Sequence, residues 1–556
     1  MINQLAVQVK IRMVRMTVVS GLTCMFSIDN SNDDKVLKDL VDRLQLAAKL
    51  EHCLLNAYVY MASTIKNTPE EFSELEDGRE NKRSAIQFER ARLWKQNILL
   101  VAHEEMIHLH YVQCMLRALG KRPHFGLPER DPQTDNWLFP DWKMKIGGNE
   151  LNDGKGTQVP VEPFSLQGMK HFVLYESTDA LQNLNPFGKE VTELFETLFD
   201  FETRFRIEKM LINISNKEDH EKLAKNLYEI YTSLLPTLEV RPAMAAIPRV
   251  AEEIDIEPFQ FQSIAQFYND GIQPLYNKAF ENGWVRDTNR DLLNEQLDPN
   301  IAGQGFLPIG PIYRGKNFQA FNRTNASSVY DNVETVQNII KEIVEEGEGM
   351  TNFKEEADKF VAKVRTDAGR KEYLEKLLKD LKSEDRKRKP SEIDEYEKLR
   401  QSHLYHFAMV MMGVKKEEEL CQTANASFKF TRTTVDSPVL QVFCDELPLY
   451  FNACYLVMIM WLSRMYEIEH WRLDRSRRQA IEMVASWPIM SLGIRPFLEL
   501  IAFFSIKRDQ LFSIAYETLP KTCTNAQELF KLYDADAAVA EFLTSRIQDS
   551  VYLCDF

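Results

Sequence analysis

The sequence predicts a mostly α-helical protein, and three observations lead to that fold class. Glycine and proline are sparse, with 21 and 22 among 556 residues, so few positions interrupt a helix. Long runs are rich in Leu, Glu, Lys and Ala. Several runs repeat apolar residues three and four positions apart, which is the spacing of one helix face. Together these features favour packed helices over a sheet-rich fold.

Length, charge and cysteine usage restrict the class further. The chain can bury a large core, and its length suggests about two to four domains or one enlarged domain. Its net charge of −15 argues against a general nucleic-acid binder, which needs a basic surface. No segment is a good membrane span. The eight cysteines include no CxxC pair, and several lie in apolar helical runs, so we expect reduced thiols and a cytoplasmic location.

The N-terminal segment, residues 1–35, is predicted to be an extension outside the helical core. It pairs Lys10, Arg12 and Arg15 with a short apolar stretch. That pattern fits either a frayed extension or a targeting sequence, although no clear cleavage site follows it.

The first core helix is predicted over about residues 39–65. One carboxylate interrupts its apolar face, because Glu51 shares that face with Leu44, Ala47, Ala48, Leu54, Leu55 and Tyr58. A polar stretch at 67–83 separates this helix from the next, so the two should form a helical hairpin.

The second helix contains "LLVAHEEMIHLHYVQCMLRALG", residues 99–120. A repeat of about 3.6 residues places Glu105 and His108 on its apolar face with Val101 and Val112. Burying a carboxylate beside an imidazole costs several kcal/mol unless both are hydrogen-bonded or bound to a cation. This helix therefore indicates a compensated polar site in the core.

Residues 126–330 are predicted to be an insertion. A long ordered loop is predicted at 123–163, overlapping the start of this insertion, because the segment is rich in Pro, Gly, Asp and Asn. We expect this loop to cover a pocket. Helices are expected at about 166–180, 191–210, 221–235 and 259–280. Glu176 lies on the inward stripe of the first of these, where it is either an additional ligand or part of a helix end near solvent.

The next strong helix covers about residues 333–346 and ends at the glycines of "EEGEG". Its stripe includes Glu346, although Glu345 or Glu342 could take that place if the helix phase shifts. Residues 351–396 form a charged insertion, typical of solvated helices.

The segment "SHLYHF" places His403 and His406 three residues apart, on the same apolar side as Phe407. Residues 416–556 are then predicted to form a C-terminal helical region packed on the bundle.

Four helices thus present six ligand-type residues to a common interior: Glu51, Glu105, His108, Glu346, His403 and His406. Any single pair could be a hydrogen-bonded core network. Burying all six without a cation would cost far more, so we predict a metal site. Di-iron and di-manganese carboxylate bundles use this kind of ligand set, which suits iron first, with manganese or zinc as options, as one or two ions.

Several segments, in the same order, resemble the ferritin-like iminophenyl-pyruvate dimer synthase family. They include "LQLAAKLEHCLLNAYVY", "VAHEEMIHLHYVQCMLRALGKRPHF", "SIAQFYNDGI", "IVEEGEG", "SHLYHF" and "LYFNACYLVMIMWLS", within roughly residues 44–490. The resemblance implies a ferritin-like four-helix bundle in residues 36–415 and oxidative coupling of amino-acid-derived imines, as in bisindole pigment biosynthesis. It implies metal-ligand roles for Glu51, Glu105, His108, Glu346 and His403, whereas His406 rests on spacing alone.

Two function classes follow. In the first, the protein is a non-haem metal-dependent oxidoreductase that acts with dioxygen on a small, amino-acid-derived substrate, with Glu105 and His108 as catalytic residues and a homodimer as an option. In the second, it is a non-catalytic metal-binding module or a degenerate ferritin-like scaffold. The length devoted to inserted helices weighs against simple metal storage.

Overall fold

A computed structural model of the protein describes residues 31–75, 78–211, 259–285, 333–347, 353–382, 396, 399–423 and 429–432, with short stretches between 448 and 511. This part of the chain is mostly α-helical, as predicted. In chain order the helices are α1 (Ser31–Thr64), α2 (Ser84–Ala118), α3 (Leu166–Tyr175), α4 (Asp179–Leu184), α5 (Lys189–Leu211), α6 (Ile264–Gln266), α7 (Gln273–Glu281), α8 (Val333–Gly347), α9 (Phe353–Val364), α10 (Asp367–Lys382), α11 (His403–Thr423) and α12 (Arg495–Ile501).

The hairpin of α1 and α2 is the base of the fold, and the two long helices pack along each other. The polar stretch between them contains a short 3₁₀ turn at Pro69–Phe72. There the Glu71 carboxylate accepts hydrogen bonds from the backbone N–H groups of Asn67 and Thr68. These bonds satisfy N–H donors at the start of the 3₁₀ turn. The packing of α1 against α2 confirms the predicted hairpin.

Helix α11 packs against α2 and α3, and its close approach to α2 depends on Gly413. A Cβ atom at this position would lie 2.6 Å from Nε1 of Trp94. At the N-terminal end of α2, the fully buried carboxylate of Glu417 forms ion pairs with Arg83 and Arg90. A tight steric contact and a buried ion cluster therefore fix α11 on α2.

Helix α5 also packs against α11 and forms a second polar cluster. Glu202 on α5 accepts hydrogen bonds from the hydroxyls of Tyr396 and Tyr405 and pairs with Arg206 and Arg400. Burial alone would raise the pKa of Glu202, but the two guanidinium groups outweigh it and lower that pKa. The carboxylate is therefore held in its charged form.

The segment predicted as a long ordered loop at 123–163 is ordered but contains strands, so that prediction was wrong in part. Strands β1 (Trp137–Phe139) and β4 (Thr157–Val159) pair antiparallel, as do β2 (Lys145–Ile146) and β3 (Asn149–Glu150). Each strand has only two or three residues, which is too short for the sequence to show an alternating pattern.

The predicted helix at 166–180 is divided in two. Helix α3 ends at Tyr175, and the hydroxyl of Thr178 caps the following α4 by accepting a bond from the Leu181 N–H. The backbone turn lies at Glu176, Ser177 and Thr178, all buried. The prediction missed this break because the apolar spacing continues across it.

The helix predicted at about 259–280 is present as α6 and α7, joined by a π-helical turn at Phe267–Ile272. The predictions at 191–210 and 333–346 match α5 and α8, and the charged insertion forms α9 and α10. The helix predicted at 221–235 lies outside the described residues. None of the helices in the described ranges is long and apolar enough to cross a membrane.

Two predicted boundaries fall inside helices. Helix α1 already begins at Ser31, before the end of the predicted extension at residue 35. Helix α11 continues to Thr423, beyond the predicted start of the C-terminal region at 416. Most of that region lies outside the described residues, but α12 packs against α1, and the Tyr455 hydroxyl contacts His52 and Asn56 on α1.

Candidate metal centre

Five acidic and imidazole side chains meet between α1, α2, α3 and α11. Glu51 lies on α1, Glu105 and His108 lie one turn apart on α2, Glu176 directly follows α3, and His403 is the first residue of α11. Each is at most 2 % exposed. The apolar stripes that bury each helix also bring these polar side chains into the interior.

The first group consists of Glu51, Glu105 and His108. One ligand-type atom from each lies within 4.8 Å of the other two. Nδ1 of His108 is 3.2 Å from Oε2 of Glu105 and 3.7 Å from Oε2 of Glu51. This spacing is compatible with three ligands around one cation.

The second group consists of Glu105, Glu176 and His403, and one ligand-type atom from each again lies within 4.8 Å of the other two. Nδ1 of His403 is 3.2 Å from Oε1 of Glu105 and 3.6 Å from Oε2 of Glu176. The rings of His403 and His108 stack with centroids 5.4 Å apart. The two groups are therefore adjacent.

Glu105 belongs to both groups, and its two oxygens face different histidines. Oε2 faces His108, and Oε1 faces His403. A carboxylate in this position can bridge two cations, as in dinuclear carboxylate bundles. The arrangement has an approximate two-fold character, with one additional carboxylate and one imidazole on each side of Glu105.

Two tyrosines extend this pairing, since each donates a hydrogen bond to one of the two carboxylates beside Glu105. The Tyr268 hydroxyl lies 2.5 Å from Oε1 of Glu51, and the Tyr58 hydroxyl lies 2.5 Å from Oε1 of Glu176. Tyr268 lies in the π-helical turn, a feature that often occurs at functional sites. Both carboxylates are thus oriented by neutral donors.

A further carboxylate lies on the far side of each imidazole ring. Oε2 of Glu346 is 3.2 Å from Nε2 of His108, and Oε2 of Glu104 is 3.2 Å from Nε2 of His403. These side chains are slightly more exposed than the inner five, at 9 % for Glu346 and 10 % for Glu104.

Burial and mutual charge shift the pKa values of the cluster in opposite directions. Burial and the neighbouring Glu105 raise the pKa of Glu51 to about 7. For His108, burial lowers the pKa, but hydrogen bonds to Glu105 and Glu51 outweigh it and raise the pKa to about 9. For His403, burial also lowers the pKa, but the negative charge of Glu105, with the nearby carboxylates of Glu104 and Glu176, outweighs it and raises the pKa. The pKa of Glu105 is lowered, because His403 and His108 outweigh its burial. In the metal-free protein the imidazoles therefore hold protons that a cation would replace.

The buried polar atoms test whether these residues fit a metal. Both ring nitrogens of His403, and Oε2 of Glu176, are inaccessible to solvent and lack a partner with hydrogen-bond geometry. The ring nitrogens lie close to carboxylates but at unsuitable angles. Buried polar atoms normally have partners, so these atoms fit ligands of a cation.

The structure brings together four of the six residues predicted as ligands: Glu51, Glu105, His108 and His403. Glu346 points inward, whereas its neighbour Glu345 is half-exposed beside Lys341, and Glu342 faces Tyr111, so the expected helix phase is correct. Glu346 nevertheless contacts His108 on the far side of the ring, outside both groups.

His406 also lies outside both groups. Its ring packs against that of Tyr405, and burial lowers its pKa to about 4. The same spacing of three residues separates Glu105 and His108, which do share a group, so this spacing alone does not bring a residue to the centre. Its ligand role stays a prediction that depends on spacing alone.

Sequence reasoning left Glu176 open, and it missed Tyr268 and Glu104. Ser177 and Asp179 suggested a solvent-facing helix end at Glu176, but the Ser177 hydroxyl donates to Val173 O, and Gln182 donates to Ser177 O. These bonds allow the helix end to be fully buried. The inward stripe was a usable indication for Glu176, whereas the contact of Tyr268 with Glu51 spans 217 positions and leaves no local pattern.

Comparison with known proteins gives one match. A family model described as Ferritin-like matches residues 44–366, which is more than half of the chain and includes Glu51, Glu105, His108, Glu176 and Glu346. Searches of curated proteins and of solved structures found no similar chain.

Proposed function

The chain belongs to the Ferritin-like family, and on that premise we propose that it is a non-haem, metal-dependent oxidoreductase that uses dioxygen to oxidise a small organic substrate. The observation that supports this most is the pair of buried ligand groups that share Glu105. We take Glu51, Glu105, His108, Glu176 and His403 as the ligands of two cations.

The donor set favours iron, with manganese or zinc as alternatives. Three carboxylates and two imidazoles combine oxygen and nitrogen donors, which suit iron, manganese and zinc. Copper(I) prefers thiolate or thioether ligands, and the proposed ligand set contains neither. Dinuclear bundles supply one Glu from each of two helices and a Glu-x-x-His pair from each of the other two. Here Glu105 and His108 are one such pair, but Arg400 stands three residues before His403. Glu51 and Glu176 supply the two single carboxylates, so the proposed ligand set has one carboxylate fewer than such a bundle.

Charge balance explains how the core accommodates this cluster. Three carboxylates facing two divalent cations leave a net charge of about +1, which the nearby Glu104 and Glu346 can offset. Without cations the same carboxylates depend on protons held by His108 and His403. Cation binding is therefore an efficient way to satisfy the buried groups.

The residues of the chain orient the ligands and exclude water. Tyr58 orients the carboxylate of Glu176, and Tyr268 orients that of Glu51. The near-complete burial of the five ligands removes bulk water from the centre. Bound iron would supply the electrons that reduce dioxygen while the substrate is oxidised. In this role Glu105 and His108, predicted as catalytic, contact the reacting centre directly.

The substrate class follows from the resemblance to the iminophenyl-pyruvate dimer synthase family, which suggests an amine or imine derived from an amino acid. A cytoplasmic location and a homodimer complete this proposal. The four cysteines in the described ranges, Cys53, Cys114, Cys421 and Cys454, form no disulfide with one another, which is compatible with that compartment.

One observation favours a second function, a metal-binding scaffold without catalysis. His108 contacts Glu51, Glu105 and Glu346, so half of the cluster can satisfy itself as an ion-paired network. A protein of this kind would bind cations tightly but would not couple dioxygen consumption to substrate oxidation.

The test begins with the metal content of the purified protein, where about two irons per chain are expected. The protein is then loaded with Fe²⁺ without oxygen, exposed to dioxygen, and monitored by absorbance and oxygen uptake. An oxidised species that decays faster with an added amino-acid-derived amine or imine supports the oxidoreductase. Equal decay with and without every tested substrate favours the scaffold.

Glu162→Gln provides a matched control, since Glu162 pairs with His171 in a carboxylate–imidazole contact outside both groups. This variant should behave like the wild type. Glu105→Gln should lose both iron loading and oxygen reactivity, and retention of both would refute the proposed centre.

A further inference from the structure

Each histidine of the centre lies between two carboxylate environments. Nδ1 of His108 and Nδ1 of His403 both face Glu105, whereas the opposite ring nitrogens face Glu346 and Glu104. A carboxylate therefore lies near the outer ring nitrogen on both sides of Glu105, Glu346 from α8 and Glu104 from α2. Of these two contacts, the one between His108 and Glu346 has hydrogen-bond geometry.

We propose that Glu346 is a positioning residue, which holds the Nε2 side of His108 so that the ring presents Nδ1 to a cation. This inference rests on the proposed metal centre and assigns Glu346 a role different from the ligand role predicted from sequence.

The physical argument concerns the one proton of a neutral imidazole. A metal-bound imidazole uses the lone pair of one nitrogen and keeps N–H on the other. With Nε2–H donated to an outer carboxylate, the lone pair of Nδ1 points at the shared Glu105 and its neighbours. Without that acceptor, Nδ1–H could instead donate to Glu105 at 3.2 Å, and the ring would present no lone pair to the groups.

Hydrogen-bond geometry and location support a positioning role for Glu346. The contact between His108 and Glu346 meets hydrogen-bond geometry. Both outer carboxylates are about 10 % exposed, whereas the side chains of His108 and His403 are 2 % and 0 % exposed. Glu346 thus lies at the edge of the core, where a negative charge is tolerated without a direct bond to the cation.

The experiment loads the full-length protein with Co²⁺, which is paramagnetic and stable in air-free buffer. Metal affinity is measured by competition with a chelating dye, and ¹H NMR records the shifted, exchangeable ring N–H signals. The variants are Glu346→Ala, Glu346→Gln and Glu104→Gln. Glu345→Gln is the matched control, because Glu345 is adjacent on α8 but half-exposed beside Lys341.

We expect Glu346→Ala to retain two Co²⁺ ions but to lose affinity by roughly tenfold to a hundredfold, the usual effect of removing the partner of a ligating histidine. One exchangeable N–H signal should shift and exchange faster with water. Glu346→Gln should restore most of the affinity and the signal, since an amide oxygen can accept the same bond. Glu104→Gln, which alters a carboxylate beside His403 and not beside His108, should leave this signal unchanged.

Three results would overturn the inference. Glu346→Ala could match the Glu345→Gln control, it could lose one ion outright as expected of a direct ligand, or Glu346→Gln could fail as severely as alanine. If alanine prevents folding, as judged by circular dichroism, the two glutamine variants still decide the matter through the N–H signals. Wild-type protein that binds no Co²⁺ would instead refute the metal centre, and this inference with it.

Discussion

Replacing Glu176 with Gln is the most direct test of what the tertiary structure adds to the sequence, because only the fold places this residue in the centre. The substitution preserves the size of the side chain and removes its charge. The amide oxygen can still accept the hydrogen bond from Tyr58, so the packing around it should be retained. We expect the variant to bind one cation as tightly as the wild type and the second much more weakly.

The magnitude follows from the geometry. Glu176 is one of three donors in the second group, beside Glu105 and His403. Two unit charges about 4 Å apart interact by about 4 kcal/mol at an effective dielectric constant of about 20, and a divalent cation doubles that. The lower desolvation cost of an amide offsets part of this loss. A net loss of about 3 kcal/mol, or more than a hundredfold in affinity, is therefore expected for the second cation.

The assay is an anaerobic Mn²⁺ titration against a chelating dye, combined with thermal unfolding. Without metal, the variant should unfold at the same temperature as the wild type or higher, because a fully buried charge near Glu105 has been removed. With metal, its stabilisation should be smaller, since ligand binding at about one hundred times Kd contributes about 2.7 kcal/mol per site.

Glu162→Gln again serves as the control, because it alters a carboxylate–imidazole pair outside both groups. Two equal binding events in Glu176→Gln, with wild-type affinity, would refute the assignment of Glu176 as a ligand. A large fall in the unfolding temperature of the metal-free variant would show instead that Glu176 acts mainly in packing.

Three further predictions follow from the charged clusters. The pKa of His108 is raised to about 9, and this histidine must be neutral to bind a cation, so metal binding should release protons at pH 7 and become stronger toward pH 9. Calorimetry in buffers of different ionisation enthalpy measures this proton release. Binding heats that do not depend on the buffer would contradict the prediction. Glu417→Ala leaves Arg83 and Arg90 without their buried partner and should cost about 3 kcal/mol in urea unfolding, whereas a loss below about 1 kcal/mol would show that the pair is dispensable. Because the pKa of Glu202 is lowered in the folded protein, its charge stabilises the fold above the unfolded-state pKa of about 4.3, and this stability is lost as the pH falls further. The difference in unfolding temperature between the wild type and Glu202→Gln should therefore become smaller at acidic pH. A difference that stays constant with pH would contradict the prediction.

Much of the fold could be predicted from the sequence, because helices that bury one face repeat their apolar residues every three to four positions. That repeat located α1, α2, α5, α8 and α11 and selected Glu51, Glu105, His108 and His403 as inward-facing groups. A charged residue in such a stripe is costly, so local pattern alone indicated a compensated site.

Tertiary structure decided which of these side chains meet and what surrounds them. Glu176 was ambiguous because its burial depends on the hydrogen bonds that satisfy the end of α3, and Tyr268 reaches Glu51 across 217 positions. The short strands at 137–159 form through pairing with one another, which a two- or three-residue pattern does not reveal.

Helix periodicity fixes a side chain to about one face of its own helix, but it does not determine where that helix lies relative to others. Glu346 has the predicted phase, yet the packing of α8 sets it on the far side of His108. His406 follows His403 by three residues, the spacing that also separates Glu105 and His108, yet only the second pair shares a group. The sequence by itself determined the helices and the polar residues that they bury, whereas the division into two groups around Glu105 depends on distances between helices, which only the packed chain defines.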